Sequence, residues 1–464
     1  MDTTLKDKDS VVDQAGAKAK HPPGLYLLFL TEMWERFSYY GMRAILVLYL
    51  TASVVAGGLG MSEQNALMIY GIFTGTVYIM PLIGGYLSDR FLGRRLAITI
   101  GGILMALGNF SLFAQQSVAF LYLGLGLLII GNGFFKPNIS TLVGELYTDN
   151  DPRRDAAFTI FYMGINIGAF FSPLIIGFIS EDLFAKTFEG VMTYGYKYGF
   201  LASAVGMIIG QIVFNLLSKR YLGEIGKKPV GKPETDTTGQ AASKPLTKKE
   251  KQRTTAIFIL AAFVVAFWAG FEQAGGSMTL YTKDFIDREI FGWTMPVSWF
   301  QSINPVFIVI LAPIMSALWI KLSKTKRGDF SAPTKMAFGL MLLGVGFLVL
   351  SLAVLQTGSD PENTVHKANI MFILFTYLFH TVAELCLSPV GLSLVSRIAP
   401  IKLASLLMGV WMASTGVANY LSGWLGAYTQ SLGYLEIFTL IGGVTIIFGL
   451  ILLAFSKKIV RLMD

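Results

Sequence analysis

Cysteine and histidine are scarce in this chain, and their scarcity excludes several kinds of chemistry. Cys386 is the one cysteine among 464 residues, so neither an internal disulfide nor a Cys-x-x-Cys metal motif can form. The three histidines, His21, His366 and His380, show no metal-binding spacing such as His-Glu-x-x-His. The sequence also has no recognisable nucleophile–base pair or phosphate-binding loop. We therefore expect a protein that is not an enzyme and holds no cofactor.

Charged residues are also few: they make up 14% of the chain, against roughly 25% in an average soluble domain, while 53% of the residues are hydrophobic. A soluble protein needs more polar surface than that to cover its core. Apolar runs of about 20 residues recur along the chain, and each can cross the ~30 Å hydrocarbon layer of a bilayer. The net charge of +8 comes from Lys and Arg concentrated in loops, so it does not indicate a nucleic-acid partner.

The apolar runs predict an all-α membrane protein with twelve transmembrane helices in two groups of six. The first six lie at 24–54, 65–88, 95–115, 118–146, 156–180 and 197–218. The second six lie at 255–282, 299–320, 335–356, 369–396, 404–427 and 434–456. The predicted regions are a disordered cytoplasmic tail (1–22), an N-terminal bundle (23–218), a polar cytoplasmic linker (219–253), a C-terminal bundle (254–457) and a cytoplasmic tail (458–464).

The basic residues predict the orientation of these helices. If the N-terminus is cytoplasmic, the cytoplasmic loops carry most of the Lys and Arg, including Arg90, Arg153 and the Lys-rich linker, as the positive-inside rule demands. The opposite loops hold few basic residues or balance them with acids, as Glu181, Asp182 and Glu189 do for Lys186. We therefore predict that both termini are cytoplasmic.

The loop between the second and third predicted helices reads GGYLSDRFLGRR. It resembles the G-x-x-x-D-R-x-x-G-R-R loop of the major facilitator superfamily, with matches at Gly85, Asp89, Arg90, Gly93, Arg94 and Arg95. An ordinary basic loop is the alternative, but the match stands at the expected place in a chain of six plus six helices. The resemblance implies the major facilitator fold, in which two six-helix bundles rock around a substrate site near the middle of the membrane.

Several ionisable side chains fall inside the predicted helices, where a charge costs roughly 2.5–3.5 kcal/mol at the membrane centre. They are Glu32, Glu35, Arg36, Arg43, Lys136, Glu272 and Glu384. Each could simply fasten two helices together. Four acids and three bases on helices one, four, seven and ten nearly balance, however, and this favours mutual pairing along a polar pathway.

Helix one has a charged stripe, because the spacing of Glu32, Arg36, Tyr40 and Arg43 places them on one helical face, with Glu35 beside it. The planar guanidinium of Arg36 is suited to bind a carboxylate in bidentate geometry. A neighbouring acid can hold this cation when no substrate is bound. Protonation of that acid would free the cation, which is a physical route to proton coupling.

Other predicted helices carry isolated polar residues. Lys136 precedes a proline that weakens its helix and frees backbone carbonyls. Asn166 and Asn304 lie on apolar helices, where asparagine more often links helices than binds a ligand. His380 lies one turn before Glu384 and could titrate, but we interpret it as a packing residue.

Three segments resemble the signatures of the proton-dependent oligopeptide transporters, the POT or PTR family. Helix one matches the pattern ExxERFxYYG between Glu32 and Gly41, and the segments GNGFFKPNIS and FYMGINIGAFFSP resemble the other two signatures. The resemblance extends from about residue 22 to residue 455. It implies a multi-pass symporter of the cell inner (cytoplasmic) membrane that imports di- and tripeptides together with protons by alternating access. We expect it to work as a monomer in the lipid bilayer.

The resemblance also implies roles for individual residues. The implied substrate site comprises Arg36, Tyr40, Tyr70, Lys136, Asn166, Trp268, Asn304, Glu384 and Trp424. The implied proton-coupling residues are Glu32, Glu35, Lys136 and Glu384. Arg36 and Lys136 would attract the peptide carboxylate, while the amino terminus would go to Asn166, Asn304 and Glu384. Arg43 with Glu272 resembles an outer gate, and Lys136 with Glu384 a second switchable pair.

The charges support a peptide substrate independently of the resemblance. A zwitterionic peptide needs a cationic and an anionic pole, since unpaired buried charges are costly. Arg36 and Lys136 belong to the N-terminal half, and Glu272 and Glu384 to the C-terminal half, so a bound peptide could bridge the halves. Because peptide side chains vary, the carrier should recognise the termini and leave the rest to apolar pockets.

Two departures from the family and three alternative functions stand beside this interpretation. Many bacterial members have an extra helix pair between the halves, for which residues 219–253 are too short and too polar. The helix-two histidine of eukaryotic members is absent, so protonation must involve carboxylates or another histidine.

A nitrate carrier would not need the acids of helix one, and a drug exporter would not combine the signatures of helices one and four. A membrane enzyme or receptor would need a motif or soluble domain that is absent here.

Overall fold

The computed structural model describes residues 20–148, 151, 153–188, 190–229, 246–325, 328–361, 364, 366–400 and 403–463. Most of the predicted N-terminal tail, the middle of the predicted linker and the last residue lie outside this set. The prediction of a disordered tail therefore falls outside the described residues.

Twelve long helices make up most of the described chain, in agreement with the predicted six plus six. The first six are α1 (Pro23–Thr51), α2 (Glu63–Leu87), α3 (Arg94–Ala114), α4 (Val118–Glu145), α5 (Arg154–Gly177) and α6 (Tyr196–Leu222). The second six are α7 (Lys248–Phe271), α8 (Ile303–Ser323), α9 (Ala332–Thr357), α10 (Met371–Ile398), α11 (Ala404–Ala427) and α12 (Tyr434–Met463). Within the described residues, ten helical segments are long and apolar enough to cross a membrane. The other two helices are α1, with its charged stripe, and α11, whose Gly, Ser and Asn residues lower its mean hydropathy.

Side-chain caps explain where some helices begin. The Ser117 hydroxyl accepts a hydrogen bond from the backbone N–H of Phe120 at the start of α4. At the start of α7, Thr247 and Glu250 form a capping box in which each side chain accepts a bond from the other's backbone N–H. As a result α7 begins inside the segment that we predicted as linker, and α6 also extends into it, as far as Leu222.

Short segments continue or connect the long helices. The continuing segments are Ser88–Leu92 after α2, Phe178–Leu183 after α5, Glu272–Gly275 and Ser277–Phe285 after α7, Val297–Ser302 before α8, and Thr429–Leu432 before α12. Two antiparallel hairpins pair β1 (Lys186–Phe188) with β2 (Val191–Thr193) and β3 (Glu289–Ile290) with β4 (Trp293–Thr294). We call the end of the molecule with these hairpins the hairpin end, and the end where α6 finishes and α7 begins the linker end.

Each half of the chain has its own hydrophobic core. In the first half, α1 packs against α5 and α6, and α4 packs against α2 and α3. In the second half, α9 packs against α10 and α12, and α7 packs against α11 and α12. The two bundles meet mainly where α2 contacts α11 and where α5 contacts the Val297–Ser302 segment and α8. This arrangement leaves the predicted substrate site between the bundles.

Glycines allow α2 and α11 to approach closely near the hairpin end. A Cβ atom on Gly71 would lie 2.6 Å from the Cα atom of Gly423, and a Cβ atom on Gly75 would lie 2.8 Å from the carbonyl oxygen of Gly416. Any larger residue would push the helices apart. The bundles are therefore in direct backbone contact on the hairpin side.

Candidate functional site

The first charged group of the site is an arginine held by acids of its own helix. The Arg36 guanidinium donates to both carboxylate oxygens of Glu35, with the Nη2–Oε1 distance at 2.7 Å, and its Nε lies 3.3 Å from Oε1 of Glu32. All three side chains are buried. Asn132 of α4 donates a further hydrogen bond to Glu35 at 3.3 Å. The acids of α1 therefore form the counter-charge of Arg36 in this structure, and their exchange with a substrate carboxylate stays a prediction.

Lys136 is the second cation of the N-terminal bundle. Its ammonium lies 4.4 Å from the centre of the Tyr78 ring, a cation–π contact. It makes no ion pair within the part of the chain that the structure describes. The predicted pair of Lys136 with Glu384 is therefore not formed in this state, because Glu384 has a neutral partner instead.

That neutral partner is Asn304, on the opposite wall. Its Nδ2 donates to Oε2 of Glu384 at 2.9 Å and lies 3.1 Å from Oγ1 of Thr381. The structure thus brings together two of the three residues expected to receive a peptide amino terminus. One carboxylate oxygen of Glu384 remains without a hydrogen bond from Asn304, and it can accept one from an ammonium group.

Most of the predicted substrate residues line one space between the bundles, which we call the central chamber and whose volume is about 190 Å³. The predicted residues on its walls are Tyr40, Arg43, Asn166, Trp268, Glu272, Asn304 and Glu384. Arg36 does not line the chamber itself but lies next to the wall residue Tyr40, with its guanidinium 5.8 Å from the centre of that ring. Residues from both bundles therefore face a common space, as the resemblance implied.

A larger space connects the central chamber to the linker end. This linker-end cavity has a volume of about 850 Å³ and shares Tyr162, Ile308 and Glu384 with the chamber. It extends along α8 and α10 to the exposed residues Asp329 and Arg397. The structure therefore represents a state in which the site is accessible from the linker end.

An ion pair between the bundles limits the central chamber on its hairpin side. Arg43 of α1 pairs with Glu272, which lies where α7 breaks, and its Nε donates to the Tyr70 hydroxyl at 2.5 Å. Arg43 and Glu272 are both buried. The predicted contact of these two residues is therefore present, while their role as a gate stays a prediction.

A second set of contacts joins α5 to the start of α8 at the hairpin end. The Glu181 carboxylate accepts hydrogen bonds from the backbone N–H groups of Val297 at 2.7 Å and Ser298 at 3.1 Å. Trp299 donates from Nε1 to the carbonyl oxygen of Leu174 at 3.0 Å. The two Glu181 bonds satisfy backbone N–H groups that a helix start leaves without partners. Together with the Trp299 bond and the contact of α2 with α11, they close the hairpin end.

Four predicted substrate residues do not line these spaces: Arg36 and Lys136, whose contacts are described above, and Tyr70 and Trp424. Tyr70 is fully buried in its hydrogen bond with Arg43. Trp424 is 43% exposed and packs against Tyr428, with ring centres 4.9 Å apart. Neither residue lines the central chamber or the linker-end cavity, so this state does not bring them to the predicted site. His380 lines the chamber and packs against Phe347, but neither of its buried ring nitrogens has a hydrogen-bond partner in the described residues.

Sequence reasoning missed two tyrosines of the site. Tyr78 contacts Lys136, and Tyr162 lines both spaces. A signal was available for each: Tyr78 lies two helical turns after Tyr70 on the same face of α2, and Tyr162 lies one turn before Asn166 on α5. Tyrosine costs little on an apolar helix, so its presence there needs less explanation than a charge does.

The profile of the POT family matches residues 95–238 and 233–433 of this chain. The chain belongs to the POT family. It is 35% identical to the uncharacterized transporter YclF of Bacillus subtilis (strain 168), over 98% of each chain. It is 32% identical to the di-/tripeptide transporter of Lactococcus lactis subsp. cremoris, over 95% of this chain and 96% of the relative.

A solved structure of the POT family has the same fold over almost the whole length. It is the crystal structure of a mutant of the peptide transporter POT in complex with alafosfalin, which aligns with a TM-score of 0.85 at 34% identity over 96% of each chain. With the apolar helices described above, these similarities identify the chain as a multi-pass membrane transporter with an all-α fold of the major facilitator type and not as an enzyme.

Proposed function

We propose that this POT family member is a symporter that imports di- and tripeptides together with protons across the cell inner membrane by alternating access. Both termini would then be cytoplasmic, and the linker end would face the cytoplasm. One chain contains the chamber, the cavity and the contacts that close the hairpin end, so a monomer suffices. The proposal adds no cofactor, since the proton is the coupling ion.

The arrangement of charges around the central chamber carries this proposal. The N-terminal bundle supplies the cations Arg36 and Lys136, and the C-terminal bundle supplies Glu384 with Asn304. A peptide carboxylate and amino group can therefore bind opposite bundles, and the ligand joins them. The names of the relatives support the same substrate class, since one is a di-/tripeptide transporter and another is a peptide transporter.

The contacts of Arg36 support the proton-coupled part of the proposal. Glu32 and Glu35 hold Arg36 in the described state, and protonation of either acid weakens that hold. A proton and a peptide carboxylate would then act together: the proton releases the guanidinium, and the carboxylate binds to it. An anion carrier without proton coupling would not need two acids at this position.

Uptake of dialanine into proteoliposomes tests the function. We expect accumulation driven by an inward proton gradient, and we expect an uncoupler to abolish that accumulation. Competition by di- and tripeptides, but not by nitrate or by cationic drugs, would define the substrate class. Equal uptake with and without the gradient would contradict symport, and competition by nitrate alone would favour the anion carrier.

Replacement of Arg36 tests the cationic pole. Arg36→Ala removes charged hydrogen bonds worth about 1.5–3 kcal/mol each, so we expect dialanine uptake to fall at least about tenfold. Arg36→Lys is the matched control, because it keeps the charge but loses the bidentate geometry, and it should retain partial uptake. Normal uptake by correctly inserted Arg36→Ala protein would remove this residue from the site.

A further inference from the structure

The linker-end cavity contains a buried cation that the proposed peptide site does not use. Lys335, in the first turn of α9, is only 8% exposed. Its ammonium lies 2.6 Å from Oδ2 of Asp329 and 4.5 Å from the centre of the Trp319 ring. All three residues line the same cavity as Glu384, with Arg397 near its linker-end rim.

Because α9 packs on α10, the backbone positions of Lys335 and Glu384 lie about one helical turn apart along the axes of these helices. The helices run antiparallel, and a Cβ atom on Gly339 would lie 2.8 Å from the carbonyl oxygen of Ala383, next to Glu384 in sequence. Lys335 starts one turn nearer the linker end, about 6 Å along the axis. An extended dipeptide spans at most about 7 Å, a length comparable with this axial offset between the two backbone positions.

Asp329 is suited to serve as a replaceable partner of Lys335. A buried ammonium needs a counter-charge, and the carboxylate of Asp329 supplies one when no ligand is present. The Asp329 side chain is 38% exposed and lies before the start of α9, so water can solvate its carboxylate when it leaves the lysine. Glu35 likewise supplies the counter-charge of a buried cation, Arg36, although Glu35 itself is fully buried.

On the basis of the function proposed above, we propose that Lys335 and Trp319 form a second subsite for a substrate carboxylate. The peptide carboxylate leaves Arg36, displaces Asp329 and binds Lys335, while the amino group stays at Glu384. The peptide is then held by the C-terminal bundle alone, and the N-terminal bundle is free. The subsite would thus hold the peptide at an intermediate point between the central chamber and the linker end.

The simpler explanation is that the ion pair only fixes the start of α9. Chemical labelling of Lys335 in purified Asp329→Asn protein distinguishes the two, because this variant removes the resident carboxylate but leaves the lysine. Acetylation of Lys335 by an amine-reactive reagent is measured by mass spectrometry with dialanine, with dialanine amide and with neither. Lys321, an exposed lysine in the last turn of α8, is the internal control.

We expect dialanine at ten times its half-protecting concentration to lower acetylation of Lys335 about tenfold, and to leave Lys321 unchanged. Dialanine amide, which has no carboxylate, should not protect. Equal acetylation with and without dialanine, or equal protection by the amide, would overturn the subsite. If Asp329→Asn does not fold, the same comparison on the wild-type protein decides, with correspondingly slower acetylation.

Two further measurements separate the subsite from the proposed function. Protection of Lys335 should persist in the Asp329→Asn, Arg36→Ala double variant, because the subsite does not require the first cation; its loss there would overturn an independent subsite.

In proteoliposomes, Lys335→Gln should lower maximal dialanine uptake about threefold or more with little change in the half-saturating concentration, since it acts on release. Lys321→Gln is the matched control. Wild-type uptake by Lys335→Gln would overturn a role in transport, whereas failure of gradient-driven uptake by the wild type would contradict the proposed function instead.

Discussion

At the scale of single residues, the contacts of the two acids on α1 distinguish their roles. Glu35 accepts two hydrogen bonds from Arg36 and one from Asn132. Glu32 contacts Arg36 through Oε1 alone, and its buried Oε2 has no partner in the described residues. A carboxylate oxygen that lacks a donor gains most from taking up a proton. We therefore expect Glu32 to be the acid that is protonated during transport, a choice that spacing alone left open.

Replacement of each acid by glutamine tests this choice. Glu32→Gln imitates the protonated acid, so we expect it to retain dialanine counterflow but to lose most of the stimulation by a proton gradient. Glu35→Gln, the matched variant, disrupts the bidentate support of Arg36 and should impair both modes of transport. Both are measured in proteoliposomes at equal protein density. If Glu32→Gln keeps full stimulation by the gradient, the assignment to Glu32 is wrong.

The charged residues of the site could be predicted from sequence because a charge in an apolar helix is costly and needs a reason. The stripe on α1, the pairing of Arg43 with Glu272 and the closeness of Asn304 to Glu384 all follow from that cost and the resemblance. The partner of Lys136 could not be predicted. Lys136 lies over an aromatic ring instead of beside an acid, because several partners were available and only the packing of helices decides between them.

At the scale of helices and connecting segments, the contacts between α5 and the start of α8 hold the hairpin end closed. Glu181 was interpreted from sequence as a loop acid that balances Lys186, yet it accepts two backbone hydrogen bonds from the other bundle. Sequence could not reveal this, because the donors are backbone groups that leave no pattern in the side chains. The break of α7 at Glu272–Gly275 was missed in a similar way, since apolar composition continues on both sides of it.

Removal of the Glu181 carboxylate should shift the molecule toward opening at the hairpin end. Each lost charged hydrogen bond contributes about 1.5–3 kcal/mol, so Glu181→Ala should raise the open population about tenfold or more. Spin labels on cysteines that replace the exposed residues Lys186 and Phe291, in a Cys386→Ala background, report the distance across this end. Glu289→Gln, at an exposed acid of β3, is the control. An unchanged distance distribution in Glu181→Ala would show that these bonds do not hold the end closed.

At the scale of the whole molecule, alternating access requires that the hairpin end opens while the linker end closes. The described state is open at the linker end, where the 850 Å³ cavity reaches exposed residues, and closed at the hairpin end by three separate contacts. These are the α2–α11 glycine contact, the Arg43–Glu272 pair and the bonds of Glu181. Sequence predicted the six-plus-six arrangement, because hydropathy reports how long each helix is. It could not predict the state, since the same sequence must form both.

A disulfide between the bundles tests whether opening at the hairpin end is needed for transport. A Cβ atom on Gly177 would lie 3.2 Å from Cβ of Ser298, slightly less than the roughly 3.5–4.5 Å of a disulfide, so Gly177→Cys with Ser298→Cys can form one after a small adjustment. In a Cys386→Ala background, we expect oxidation to abolish dialanine uptake and reduction to restore it. Each single cysteine variant is a control and should be insensitive to oxidation. The oxidised protein should still bind dialanine in detergent, because its linker-end cavity stays open. Full uptake by the cross-linked protein would mean that the bundles need not separate at this end, and it would contradict the rocking mechanism.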